Sequence, residues 1–242
     1  MALSLKSSIA GLPQSRPAAF AAIEAIYYRP RRGAPSWVRA DRSATSCELH
    51  QVLPVRKPTK YAKRQHYEGH YWFSGVNQLV WHESMEEYSA LMWLDHSFEI
   101  HGIAAQPMCL YFADGSRHVP DYFARHVGGQ QVVYDVRPLA RVNEDFMLQA
   151  KKTRDLCYQV GWTYVVLTGL DAISRYNLEW IATYRDRRLA ADAVLAQAIL
   201  DHLSRPQRLV DLAQLLDPMV PARHMHHIYG SPDVTVGGFR AP

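Results

Sequence analysis

Two aspartates stand fourteen residues apart, in Val119-Pro120-Asp121 and in Val132-Val133-Tyr134-Asp135-Val136-Arg137-Pro138. The second is a carboxylate inside a β-branched run. It is poorly suited to a strand and costly to bury without a cation. Side chains alternate across a strand, so Asp135 and Arg137 share a face. Gly128-Gly129 is a tight turn that folds the strand of Asp121 back on that of Asp135, bringing both carboxylates to one end of a sheet. Glu87, on a preceding helix, is a third candidate. Two or three carboxylates with the Val136 carbonyl are the hard oxygen ligands that Mg2+ or Mn2+ prefers. A metal held there polarises a phosphodiester and lowers the pKa of a bound water. Each residue also has a plainer role. Asp121 can shape a turn after Pro120, Glu87 can be the capping partner of Ser84, and Arg137 can be the ion-pair partner of Asp135.

The elements that must position these residues follow from the pattern. Ser84-Met85-Glu86-Glu87 opens a helix with a capping box, and Met85, Tyr88, Leu91 and Met92 fall on one face. Residues 98–105 and 108–112 read as strands. Asp114-Gly115 is a hairpin turn, 117–125 returns as a third strand, and 131–137 is a fourth. A helix is expected over 143–160, with Phe146, Ala150, Thr153, Leu156, Cys157 and Val160 near one face and Gly161 as its stop. Residues 162–168 read as a buried strand and 171–184 as a helix. The fold class expected is α/β (α+β), a central mixed sheet flanked by helices. Residues 189–203 and 209–216 read as two further helices, 220–229 as a third and 233–236 as a short strand. Together they suggest a winged-helix-like module over 189–242.

The chain has 242 residues with 48% apolar and 21% charged content, the composition of a globular protein. No apolar window is long enough for a membrane span and no signal peptide is evident, so a cytoplasmic location is expected. Cys47, Cys109 and Cys157 are scattered and odd in number, against a disulfide framework or a zinc site. Charge is uneven. Residues 1–66 carry twelve Lys or Arg against three acids, so of the overall +4 this segment holds +9 and the rest −5. Pro-rich and basic, 1–66 reads as an arm or linker with one helix over 17–28. Such asymmetry suits a nucleic-acid binder or a solvated tail. Lys57, Lys60, Lys63 and Arg64 interleave with Tyr61, Tyr67, Tyr71 and Trp72, as in surfaces that hold DNA backbone and unstacked bases. The same aromatics could equally pack on the core. Arg117 and His118 are further DNA-contact candidates. His224, His226 and His227 form a cluster without a neighbouring Cys or carboxylate.

Several stretches carry a family resemblance: His66-Tyr67 to Gly75, Trp81 to Glu87, Leu94-Asp95, Gly102 to Pro107, Arg117 to Ala124, and Asp135-Val136-Arg137-Pro138. Through them residues 66–185 resemble the catalytic domain of TnsA-type endonuclease subunits of heteromeric transposases, in the PD-(D/E)XK restriction-endonuclease-like superfamily. In that family a helical Glu, the Asp after Pro, and an acidic or amide residue followed two positions on by Lys form the metal site. These map onto Glu87, Asp121, Asp135 and Arg137. The resemblance implies Mg2+-dependent cleavage of double-stranded DNA at transposon ends. It also implies a TnsB-like transposase of the integrase type and a TnsC-like AAA+ ATPase as partners, the latter contacted through the C-terminal domain.

Where the family has lysine this chain has Arg137. Arginine stays protonated and cannot act as a base, but it can bind the scissile phosphate and stabilise charge. Lys151 or Lys152 on the next helix could substitute. Two other readings therefore stand beside the transposition nuclease. One is a nuclease-like DNA-binding or assembly subunit without cleavage; the other is a restriction or anti-phage defence nuclease.

Overall fold

The structure is a computed structural model that describes residues 12–13, 15–21, 23–56, 67–182, 192–202 and 208–216. It is mixed α/β and divides into two compact units: 1–91 with 98–169, and 92–97 with 170–242.

The first unit is built on one long, kinked hairpin. β5 (Ile100–Ala105) and β6 (Met108–Tyr111) form the outgoing arm; β7 (Arg117–His118) and β8 (Tyr122–His126) form the return. The single return strand expected over 117–125 is split at Val119-Pro120-Asp121. Pro120 has no N–H for a ladder and favours a break. The outgoing arm breaks opposite it, at Gln106, whose φ is 45°. The two breaks are tied by the Gln106 N–H donating to the Asp121 carbonyl at 2.7 Å. Each half of the hairpin then joins a different sheet. β5 and β8 continue into β9 (Gln131–Val136) and β10 (Thr163–Leu167), in the order β10-β9-β8-β5, with β9 and β10 parallel and the other pairs antiparallel. β6 and β7 join β1 (Ala25–Tyr28) and β2 (Ser36–Arg39), in the order β2-β1-β6-β7. The strands expected over 98–105, 108–112 and 117–125 are therefore shared between two sheets.

β1 overturns the helix expected over 17–28. Only Ala18–Phe20 make a 3-10 turn; Ala25 and Ile26 are fully buried in the strand. Residues 23–56, read from their Pro and Arg content as an arm, pack onto the hairpin instead. Ile26, Ala44, Leu49 and Val52 share a core with Phe123, Val133, Leu156 and Trp162. Each large apolar side chain among them, fully buried, stabilises by about 1.5–3 kcal/mol, which offsets the cost of ordering this segment. The fit is close. A Cβ on Gly102 would lie 2.2 Å from the His50 ring, so β5 requires glycine there.

α2 (Glu144–Val160) crosses over from β9 to β10 as expected. The Asn143 side chain accepts from the Phe146 N–H at 2.9 Å, and Gly161 ends the helix at φ 97°. Its buried face is Ala150, Thr153, Leu156, Cys157 and Val160. Before the sheet, β3 (Gly69–Phe73) and β4 (Gln78–His82) form a two-stranded ribbon. Its connection ends at Asn77 in the left-handed region, φ 55°, which Asn tolerates. α1 (Met85–Ser97) follows directly.

The second unit contains α3 (Ala172–Ala182), α4 (Ala193–His202) and α5 (Leu209–Leu216), with Ile199, Leu212 and Ala213 buried. The helix expected over 220–229, the strand over 233–236 and the histidine cluster at 224–227 lie outside the described residues, as do Lys57, Lys60, Lys63 and Arg64. Among the described residues no helix is long and apolar enough to cross a membrane.

Candidate active site

The carboxylates singled out by spacing meet in one cleft. Asp121 sits at the kink that Pro120 imposes, one residue before β8; Asp135 lies opposite on β9. The Asp121 N–H reaches the Asp135 carboxylate at 3.4 Å, and the Asp121 carboxylate accepts from the Val136 N–H at 2.7 Å. Glu87 approaches from the first turn of α1. Its amide donates to Ser84 Oγ at 3.1 Å, and its carboxylate accepts from Ser84 Oγ at 3.3 Å and the Glu83 N–H at 2.8 Å. It is thus a capping partner and a cleft residue at once. The cleft measures about 390 Å³ and is lined by Glu83, Glu87, Asp121, Asp135, Val136 and Arg137, with Arg56, His118, Arg141, Phe146 and Gln149 among the others.

The cleft has an excess of negative charge at its floor. The Asp121 carboxyl is held well above its ordinary value, first by burial, then by the charges of Asp135 and Glu87. The Val136 N–H and Arg56 oppose this without cancelling it. Burial also raises Glu87, with the Glu83 charge adding to it. Beneath them the Tyr122 hydroxyl donates to Glu87 at 3.4 Å, and burial with the carboxylate charges keeps this phenol protonated.

Asp135 is paired, but not with Arg137. His118 Nε2 lies 2.8 and 3.0 Å from its two oxygens, and the Tyr164 hydroxyl donates to it at 2.5 Å. Gln149, from α2, contacts His118 Nδ1 at 2.5 Å. His118 belongs to the cleft rather than being an ordinary packed imidazole. Arg137 leaves the strand pointing elsewhere. Its Nε donates to the Arg141 carbonyl at 2.9 Å, and its guanidinium lies over the Phe146 ring, 5.3 Å from the centroid. Arg137 is nonetheless among the residues that line the cleft.

Of the other sequence candidates, Arg117 does not line the cleft. It donates to the Pro13 carbonyl at 2.8 Å and packs over Tyr111, bracing the N-terminal segment. Lys151 pairs with Asp155 at 2.6 Å, and Lys152 pairs with Asp114 and Ser116. Neither lines the cleft, so the expectation that one of them substitutes for a lysine at position 137 is not met. Spacing gave no hint of Arg56, Glu83, Gln149 or Tyr164. Arg56 binds Glu83, which also accepts from Gln106 at 2.9 Å, so a cation from the N-terminal segment meets the acidic floor. Only the Glu83 position, beside Ser84 in the helix-opening signature, was open to sequence reading.

The donor chemistry suits a hard divalent cation: carboxylate oxygens of Glu87, Asp121 and Asp135 beside Val136, under mutual repulsion that a cation would relieve. In the arrangement seen, these oxygens hold protein donors. Among the described residues no group of three or more His, Cys, Asp or Glu is placed so that it could hold a metal ion. No protein-family model matches the chain, and no curated protein matches it.

Proposed function

We propose that this protein is a metal-dependent DNA endonuclease subunit of the TnsA type, hydrolysing one strand at transposon ends. One observation carries the reading. Glu87, Asp121 and Asp135 converge on a single cleft in which the charges of the other two help to hold the Asp121 carboxyl up. Such repulsion is costly unless a cation or proton relieves it. The order helix, β-hairpin, strand, crossover helix, parallel strand supports a restriction-endonuclease-like core.

Glu87, Asp121 and Asp135, with the Val136 carbonyl, would hold Mg2+ or Mn2+. That ion supplies charge neutralisation at phosphorus and a more acidic water. Arg137 binds the scissile phosphate. Its Nε and ring contacts fix the guanidinium plane and leave the paired N–H groups for phosphate oxygens. Asp135 would offer the ion the carboxylate that His118 and Tyr164 orient, and Gln149 steadies the second nitrogen of His118. The partners in this reading are double-stranded DNA, a TnsB-like transposase and a TnsC-like AAA+ ATPase. α4 and α5 belong to the winged-helix-like module over 189–242 that would contact the ATPase.

The test is nicking of supercoiled transposon-end DNA with Mg2+ or Mn2+, with and without the transposase. Asp121→Ala and Asp135→Ala are expected to abolish it; nicking that survives in both variants overturns the assignment. A second reading, a non-cleaving DNA-binding or assembly subunit, is favoured by Arg137 alone, since no lysine among the described residues lines the cleft. Its signature is a wild type that binds DNA without cutting while Arg137→Lys cuts. A defence nuclease would share this chemistry and differ in its DNA target.

A further inference from the structure

Residues 25–40 hold four arginines and no acid. Three of them, Arg29, Arg31 and Arg32, sit on the turn between β1 and β2, beyond the Tyr28–Ser36 pair. Arg31 and Arg32 are exposed, and the tip bends at Gly33, φ 95°. The strand register fixes which end of the sheet this turn occupies. β1 pairs Ala25 with Tyr111 and Tyr28 with Met108, two residues after Gln106. β7 pairs with β6 in the same sense, Arg117 with Tyr111 and His118 with Leu110, and leads into Pro120 and Asp121. Both strands therefore run toward the Gln106–Asp121 kink, which puts the arginine turn at the cleft end of the sheet. In the order β2-β1-β6-β7, two strand spacings, roughly 10 Å, separate β1 from His118. Residues 51–56 join the turn to the cleft. Arg31 Nε donates to the Gln51 carbonyl at 2.9 Å, the Leu53 N–H donates to the Arg29 carbonyl at 2.8 Å, and the Arg29 guanidinium donates to the Pro54 carbonyl at 2.9 Å. The Val55 N–H then donates to the Gln106 carbonyl at 2.9 Å, and Arg56 lines the cleft.

We propose that the β1–β2 turn is a docking surface for the backbone of duplex DNA, with Arg31 and Arg32 gripping phosphates that flank the one in the cleft; the proposal rests on the nuclease reading. Arg29, half-buried, braces the turn against residues 53–54. A cleft with acids at its floor repels phosphates, so the attraction that seats a duplex has to come from cations beside it. Guanidinium is the side chain best matched to phosphate oxygens. Phosphates follow one another at about 3.4 Å along a strand, so an offset of roughly 10 Å is about three nucleotides. The acids of this segment leave the turn basic. Glu24 stands before β1, at the far end of the strand; Asp41 accepts from the Ser43 N–H at 2.9 Å and pairs with Arg39 at 3.5 Å; Glu48 lies three residues before Gln51. The arginines lead along residues 51–56 to the cleft that receives the scissile phosphate, and a duplex running through that cleft carries further phosphates over the turn. That continuity favours DNA over an acidic protein. Contacts to phosphate alone carry no base sequence, so this surface sets position and not target choice.

The experiment uses the full chain in EDTA with a fluorescein-labelled random-sequence duplex, read by anisotropy across a salt series. Arg31→Ser with Arg32→Ser is expected to weaken binding by about tenfold or more and to lower the slope of log K against log salt by about 2, one for each phosphate contact. Arg32→Ser alone leaves the Arg31–Gln51 bond in place and is expected to lower the slope by about 1. Arg31→Lys with Arg32→Lys keeps most of the affinity and the slope. Arg39→Ser removes a charge at the far end of β2, opposite Ala25, and is expected to change neither. Unchanged melting temperatures show that the fold is intact. If the wild type binds duplex and the serine variants keep its affinity and slope, the proposal fails while the nuclease reading stands. If they bind DNA like the wild type but lose association with the transposase, the turn is a protein surface and the proposal fails. If Arg39→Ser weakens binding as much as Arg32→Ser, position does not matter and the proposal fails. If the wild type binds no duplex at all, the proposal fails, and loss of nicking in Asp121→Ala remains the separate check on the nuclease. Weakened binding at a reduced slope, in a protein whose Asp121→Ala variant nicks like the wild type, upholds the docking surface and overturns the nuclease reading instead.

Discussion

Asp121 and Asp135 exchange contacts across the β8–β9 pair: the Asp121 N–H faces the Asp135 carboxylate at 3.4 Å, and the Asp121 carboxylate accepts the next amide, Val136, at 2.7 Å. The two acids are thereby locked to one spot, and the energy of the site is set by how their charge is relieved.

Asp121→Asn tests that energy directly. The native Asp121 carboxyl is raised, so the folded state holds its proton more tightly than the unfolded chain does. This contribution is fully present below the ordinary carboxyl range near 4 and is lost as pH rises through the raised native value. Stability falls by up to about 1.4 kcal/mol for each pH unit crossed between the two. Metal-free wild type should therefore lose stability against Asp121→Asn as pH climbs from about 4 towards neutrality. Mn2+ reverses the order near neutral pH: at a hundred times its Kd it adds about 2.7 kcal/mol to the wild type and little to the variant. Calorimetric scans over pH, with and without Mn2+, read both effects. Parallel curves for the two proteins would refute the raised Asp121 carboxyl.

Arg137→Ala is expected to lower kcat/KM for nicking by about 10- to 100-fold, the worth of a charged hydrogen bond to phosphate. Arg137→Lys cannot keep both the Arg141 carbonyl and the Phe146 ring, so it should fall between wild type and alanine. Cleavage by the lysine variant above wild type would show that Arg137 impairs the site. Steady-state nicking kinetics decide.

Removing a donor from Asp135 should destabilise the fold. Tyr164→Phe and His118→Ala each take a hydrogen bond from a buried carboxylate that is 3% exposed, at a cost of about 1.5–3 kcal/mol. The double variant should fall short of the sum, since both donors serve one group. Urea unfolding of the four proteins measures the cycle; strict additivity would show that the two donors act independently.

Gly102→Ala places a methyl against His50 and should cost about 1–3 kcal/mol. His50→Ala in the same chain should restore much of it. Thermal melts of the single and double variants test whether residues 23–56 pack on β5; a Gly102→Ala variant as stable as wild type would contradict that packing.

Local signals were legible where a few neighbouring residues decide. Asn143 and Gly161 bound α2, the spacing of Ala150, Thr153, Leu156, Cys157 and Val160 marked its buried face, and Gly129 turned the β8–β9 hairpin. Asp135 announced itself because a carboxylate in a β-branched run must find a donor or a cation. Pairings between distant segments were not legible. Pro and Arg content made residues 23–56 read as an arm, yet Ile26 and Leu49 complete the core, because total burial outweighs local propensity.

The sequence by itself determined which chemistry is available here: three acids, Glu87 on a helix and Asp121 and Asp135 on neighbouring strands, with Arg137 two positions after the last. Only the tertiary structure decided what each acid touches. Pro120 divides the hairpin between two sheets, and that kink sets Asp121 at the cleft floor. Alternation put Arg137 on the same face as Asp135, but β9 ends at Val136, so its side chain follows the exit to Arg141 and Phe146 and leaves Asp135 to His118 and Tyr164. A side chain's partner depends on where every other element lies, and that is a property of the packed whole.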